Sequence, residues 1–442
     1  MPYKAGIRLS GERASKLGHL DVIKSKLVNA LIDQFEQPES VEVESPYEWK
    51  NIDSIDIEPL RLIFAVDGSK QTIRSDFPPY KELAFIKTAL LRLDQHAINK
   101  LDPIAPHPMA LRDIMSDSAM YHSTVLPLKG LNIKGQSNYD TVRGVIYESL
   151  RDESLGGEPF KTLKWLVYEK WNNTQSQSPG FQCPHCQRDI SGLPFDADEG
   201  ICEHSDCRGH LYLSDMIGFH LEMGEDSAPD SISTAYMLIH ETLLLFTGIR
   251  FFWEHDKFNV LAKSLFIKDG PLTLRGQYSK LAIPIRRLFE FAKNNDIILN
   301  VIGQEKTGTF VDHLEIISRK APKGSYFLPS NSYIRREVQH QSERAAPYGS
   351  RTNYGNKLFI KLDKYHHMVI SVPTGEYKDS QSLDDLIGIH AILATLPNIL
   401  SHKHECGLVP IELANGVASL SSYPSATILK VFSGLDKLEK VQ

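Results

Sequence analysis

Apolar side chains recur at three- and four-residue steps through residues 12–36, at Leu17, Leu20, Ile23, Leu27, Leu31 and Phe35. That spacing predicts an amphipathic helix, which would most simply pack on the chain's own core. A polar stretch, QPESVEVESPYEWKN, follows, and then an apolar run from Leu62 to Val66 that stops at Asp67, Gly68 and Ser69. The run reads as a buried strand with a carboxylate at its tip. Beyond a Pro78-Pro79 turn, YKELAFIKTALLRL reads as a second strand. The pattern is then mixed and helical up to KTLKWLVYEKW, and NNTQSQSPG (172–180) reads as a linker. A long apolar helix is predicted from about Ser231 to Phe252. Three short apolar strands with helical crossovers come next, KSLFIKDG, IILNVIGQEKTG and NKLFIKLDKYHHMVISVP, and a terminal helix pair closes the chain. Strands alternating with helices predict an α/β fold with one mixed sheet.

Length adds that 442 residues suffice for two or three domains, or for one large core with insertions. A formal charge of −6 excludes a surface that binds nucleic acid indiscriminately, so any such contact needs a local positive field. The first residues lack the apolar core of a signal peptide, and no run approaches the ~18 apolar residues of a membrane span. The expectation is a cytoplasmic protein with no membrane contact. Neither a GxxxxGK[ST] loop nor a GxSxG elbow occurs, which argues against a built-in ATP motor and against an α/β-hydrolase.

Five cysteines in that compartment point to metal or free thiols rather than disulfides. Four of them, Cys183, Cys186, Cys202 and Cys207, are spaced C-x2-C-x15-C-x4-C. Two knuckles of two thiolates close a tetrahedral Zn²⁺ site with no open position, so the reading is a structural zinc ribbon. His185, His204 and His210 lie close in sequence and leave a Cys₃His site open.

A second Asp-Gly repeats the first, Asp269 and Gly270 after Leu265, Phe266 and Ile267. Alone, each would more often be a hairpin turn. As a pair, each after an apolar strand, they could sit side by side in one sheet and offer oxygen ligands to Mg²⁺ or Mn²⁺. Two such ions roughly 3.5–4 Å apart would serve phosphoryl transfer. Glu241 is the only formally charged side chain between Asp230 and Arg250. Burying it is costly unless it is paired or bound to a cation; otherwise it faces solvent beside His240.

The ordered set AVDGS (65–69), helical Glu241, IKDGPL (267–272) and VIGQEKTGTFVDH (301–313) resembles the NurA nuclease family. The resemblance runs from about Leu62 to the C-terminal helix, with the cysteine-rich segment as an insertion. It implies a ribonuclease H-like mixed sheet flanked by helices, and a homodimeric Mn²⁺- or Mg²⁺-dependent DNase that processes DNA ends with a HerA-type hexameric ATPase translocase. It also implies Asp67, Glu241 and Asp269 as metal-binding carboxylates and Lys306 as the lysine that holds the scissile phosphate. Near the C-terminus the family carries a tyrosine and, eight residues later, an Ala-His pair; here Gly407 and Ala414-Asn415 stand in those places. Asn415 thus takes the histidine's place in the catalytic set, and Glu412, one helical turn earlier, is either the source of the missing oxygen ligand or a surface residue. The division implied is an N-terminal partner-binding region (1–58), a core in two parts (59–175 and 213–442) and a zinc-ribbon insertion (176–212). Arg335, Arg336, Arg344, Arg351 and Lys357, interleaved with Tyr333, Tyr348 and Tyr354, offer phosphate and base contacts for DNA. Two other readings stand beside this one: a catalytically inactive scaffold that caps the translocase, and a transposase- or Argonaute-like phosphodiesterase.

Overall fold

The computed structural model describes residues 22, 24–35, 47–52, 57–98, 100, 109, 119–342, 347–401, 406–421 and 423–436. Two compact units divide the chain, residues 1–48 and 49–442. In the first, helix α1 (Lys26–Gln34) starts at Ser25, whose side chain accepts from the Val28 amide at 3.4 Å. None of its residues is buried, and Leu27, Leu31 and the adjoining Phe35 are exposed. Leu17, Leu20 and Ile23 lie outside the described residues.

The second unit is built on a nine-stranded mixed sheet. Its strands are β1 (Lys50–Asn51), β2 (Leu62–Arg74), β3 (Glu82–Asp94), β4 (Ala119–Lys129), β9 (Ser264–Asp269), β10 (Asn300–Glu305), β11 (Ser325–Phe327), β12 (Asn356–Lys361) and β13 (His367–Val372). Short strands β5 to β8 (Phe181–Gln182, Asp189–Ile190, Glu199–Ile201 and His210–Tyr212) form two separate hairpins. The sheet order is β1-β11-β12-β13-β10-β9-β2-β3-β4. β2, β3 and β4 form an antiparallel meander, and β9 and β10 run parallel to β2.

Three expectations change here. The apolar run ends at Val66, but β2 continues to Arg74 because β3 pairs with it at every residue; Asp67 lies mid-strand and Asp67-Gly68 is no turn. The segment NKLFIKLDKYHHMVISVP is two antiparallel strands, β12 and β13, because its polar centre LDKYH makes the bend. β4 lies in a region read as mixed and helical; its edge position leaves one side of the strand exposed and blurs the apolar pattern.

Helices are α2 (Asn138–Leu150), α3 (Glu158–Val167), α4 (Asp230–Glu254), α5 (Ala282–Asn294), α6 (Thr309–Ile317), α7 (Ile389–Thr395), α8 (Val409–Ala418) and α9 (Ser425–Phe432). Alternation splits the core in two. Phe64, Val66 and Phe266 face α2–α5, while Ile63, Ala65, Leu265 and Ile267 face α7 and α8. Burial on both faces is why these strands read as unbroken apolar runs. α4 is long and apolar enough to cross a bilayer, yet 78% of its apolar window is buried inside the chain, as a central core helix requires.

The segment read as a linker is tied down: the Ser178 amide donates to the Leu193 carbonyl at 2.9 Å, and the Ser178 hydroxyl accepts the Leu193 amide at 3.0 Å. The cysteine-bearing hairpins share the α2–α5 core through Phe181, Ile190, Leu193 and Leu211. Arg143 on α2 fastens them with a bidentate pair to Asp215 (3.0 and 2.8 Å) and a bond to the His210 carbonyl at 2.9 Å.

Candidate active site

β9 pairs with β2 only as far as Val66↔Lys268. Asp67 is therefore the first residue of β2 beyond that ladder, and Asp269, the last residue of β9, ends beside it. A notch opens between two parallel strands, with a carboxylate on each wall. Alternation turns both toward the α8 side, with Ala65 and Ile267. Asp67 is only 3% exposed; its Oδ1 accepts the Gly68 amide at 2.7 Å, and its Oδ2 is buried without a hydrogen-bond partner. Burial, and next the Asp269 charge, push its carboxyl up to about 7, although the Asn415 amide on α8 favours the charged form. Exposed Asn415 is thus brought to the notch.

Glu241 reaches the same place from α4, on the opposite face. Gly68 makes this approach possible: a Cβ there would lie 2.5 Å from Glu241 Oε1 and 2.7 Å from Met237 Cγ. Glu241 Oε2 is held by Lys268 Nζ at 3.1 Å, both side chains being buried, and Lys268 also donates to the Asp269 carbonyl at 2.9 Å. Burial alone would discharge this lysine; the Glu241 carboxylate outweighs it and keeps the ammonium charged. Lys306, following β10, pairs with Asp269 Oδ1 at 3.1 Å, each side chain about a third exposed.

The structure thus gathers Asp67, Glu241, Asp269, Lys306 and Asn415. It does not bring Glu412 to them: that carboxylate accepts the Ser401 hydroxyl. Sequence reasoning missed Lys268, although a lone lysine in an apolar strand, in phase with Phe266 and hence facing α4, was a usable signal. The DNA-contact set changes as well. Lys357 is buried in a pair with Glu305, and Tyr354 is buried beside Lys268, so neither is offered to a ligand. Arg351 is exposed, Arg335 is partly so, Arg336 pairs with Glu337, and Arg344 lies outside the described residues.

The four cysteines have free thiols and are the only described group of three or more such ligands whose donor atoms all lie within 4.8 Å of one another. Cys183–Cys207 and Cys186–Cys202 sulfurs are each 3.8 Å apart, the edge of a tetrahedron with metal–sulfur bonds of about 2.3 Å. This cluster could hold a metal such as zinc. The histidines are committed elsewhere: His185 to the His210 carbonyl, His204 to the Asp189 carbonyl and His210 to Glu199.

A further polar constellation joins β4, α2 and α4. Ser149 Oγ lies 2.9 Å from His122 Nε2, and His122 Nδ1 lies 3.2 Å from Asp152 Oδ2. The connectivity is that of a serine–histidine–aspartate relay. Here, however, Ser149 and His122 are buried, the Ser149 hydroxyl is shared with Tyr236 at 2.7 Å, and His122 stacks on His240 at 4.3 Å. These contacts enclose the hydroxyl and make the network a tie between elements.

No protein-family model matches this sequence, and no curated protein matches it.

Proposed function

We propose that the chain is a divalent-metal-dependent DNA nuclease of NurA-like type, hydrolysing phosphodiester bonds near DNA ends. One observation carries the reading: Asp67, buried mid-strand with an orphaned oxygen, stands next to Asp269 and within the field of Glu241. A buried carboxylate crowded against a second one is expensive to keep charged, and a hard cation would relieve the cost. An antiparallel meander followed, after the long helix α4, by two strands parallel to its first strand supports a ribonuclease H-like core.

Asp67 and Asp269, with Glu241 behind them, would hold Mn²⁺ or Mg²⁺, which when bound lowers the pKa of water and stabilises the charged phosphate. Lys306 is exposed enough to leave Asp269 and meet a phosphate oxygen as a point charge. Asn415 can orient a ligand through its neutral amide. Arg335, Arg336 and Arg351 lie on the segment proposed to carry DNA. The four cysteines would hold a structural Zn²⁺ that fixes the two hairpins to the core. The sequence resemblance implies a homodimer working with a HerA-type hexameric translocase, in end processing or defence against foreign DNA.

Cleavage of end-labelled linear DNA in Mn²⁺, with Asp67→Asn and Asp269→Asn compared with wild type, tests the reading. It expects cleavage by wild type and its loss in both variants, with unchanged circular dichroism. A second reading, the inactive scaffold, is favoured by the two lysines that already neutralise Glu241 and Asp269. Absence of cleavage by folded, zinc-loaded wild type, with or without the translocase, would select it over the nuclease.

A further inference from the structure

We propose that Lys268 takes the place of a second cation, so that the notch holds a single divalent ion between Asp67 and Asp269, with Glu241 permanently occupied by the lysine. The inference rests on the nuclease reading of this site and narrows its metal requirement from two ions to one.

The argument begins with faces. By alternation, Asp67 and Asp269 turn toward α8, whereas Lys268 and Gly68 turn toward α4, which carries Glu241. The Lys268–Glu241 pair is therefore on the far side of the sheet from the two aspartates. Glu241 Oε2 is held by Lys268 Nζ at 3.1 Å, and Oε1 sits so close to Gly68 that a Cβ there would come within 2.5 Å of it. Displacing the ammonium would leave a fully buried lysine without its counter-charge, and breaking a buried pair in that way is strongly unfavourable. A metal ion competing for Glu241 would have to offset that as well as its own dehydration.

The second lysine differs. Lys306 holds Asp269 at a similar distance, 3.1 Å, but its side chain is 34% exposed. An exposed pair is worth little, so an incoming cation can take Asp269 and let Lys306 swing to solvent or to a phosphate.

Charge points the same way. On the far face Glu241 and Lys268 cancel, so once Lys306 has moved away Asp67 and Asp269, when ionised, leave two negative charges for one divalent ion to balance. A second ion would make the notch strongly positive before any substrate arrives. The other nearby acids do not alter this: Glu305, at the end of β10, is paired with buried Lys357, and Glu412 accepts from Ser401.

The test is calorimetric titration of the zinc-loaded full chain with Mn²⁺, without DNA, for wild type, Asp67→Asn, Lys268→Arg and the double variant Lys268→Met/Glu241→Gln. The double variant removes both charges together and so avoids the unpaired carboxylate that would threaten folding. The proposal expects one Mn²⁺ per chain beyond the cysteine site in wild type. It expects affinity lowered about 10- to 100-fold or more in Asp67→Asn, and retained within a few-fold in Lys268→Arg and in the double variant. Two ions per wild-type chain, or a double variant that loses Mn²⁺ as severely as Asp67→Asn, would overturn it and leave the nuclease reading intact. Absence of any Mn²⁺ binding by wild type, together with absence of cleavage, would remove both.

Discussion

The cysteine cluster and the carboxylate notch are both polar sites in one compact unit, but they are assembled in opposite ways. The cysteines lie within 25 residues on two short hairpins, and the Cys183–Cys207 and Cys186–Cys202 sulfurs approach to 3.8 Å. The carboxylates come from β2, α4 and β9, about 200 residues of chain, and lysines hold two of the three. Thiols are cheap to bury side by side as neutral groups. Buried carboxylates are not, because like charges repel in a poor dielectric; the protein must supply lysines or leave an acid protonated. The thiols can converge unaided, whereas two of the three carboxylates stand against lysines.

Removing the cysteine metal should break the comparison most strongly. Cys183 and Cys202 are buried in the same core as α2–α5, so chelation, or Cys183→Ser, is expected to lower the thermal midpoint by roughly 10 °C or more. Metal analysis beside a melting curve checks it; an unchanged midpoint would mean that the hairpins hold without the ion.

Next in size is the buried pair. Lys268→Met alone should destabilise the fold by about 3–5 kcal/mol by stranding Glu241, and adding Glu241→Gln should recover most of that. Urea unfolding of the four members of the cycle measures the coupling, and additive losses would contradict it.

Asp67 gives a smaller, pH-dependent effect. Its carboxyl is raised from 3.8 to about 7, burial being the largest cause. Between about pH 4 and pH 7 the folded protein keeps a proton that the unfolded chain releases, so stability falls as pH rises across that window. Metal-free Asp67→Asn should be more stable than wild type by about 1–3 kcal/mol at pH 8 and equal to it near pH 4. A parallel pair of stability–pH curves would place Asp67 outside the charge cluster.

The smallest expected change is at the surface. Arg351→Glu should weaken DNA binding several-fold and lower the salt slope by about 1, with Mn²⁺ binding unaffected. Fluorescence anisotropy over a salt series reads both.

The residues at these sites were largely legible in the sequence, but their roles were less so. C-x2-C and C-x4-C spacing announces a metal cluster because each knuckle is local and the chain can close it with a hairpin. Asp67 and Asp269 stand out because each follows an apolar run. Glu241 stands out because nothing else on α4 is charged. What went unread was set by partners distant along the chain. β3 decides that β2 continues past Asp67, and β4 is disguised by its edge position. Lys357 and Tyr354 look like a nucleic-acid surface until Glu305 and Lys268 are seen beside them.

The sequence by itself determined the α/β alternation, the core helix α4, the cysteine ligand set and the identity of the three carboxylates. Those follow from short-range periodicity and from the cost of burying charge, both of which act within a few residues. Only the tertiary structure decided that the β2–β9 ladder stops one residue short of Asp67, that Gly68 admits Glu241 to the sheet, and that Lys268 meets it there. Which charge neutralises a buried acid depends on strand register and on the face each side chain takes, and these are fixed only when distant segments pack.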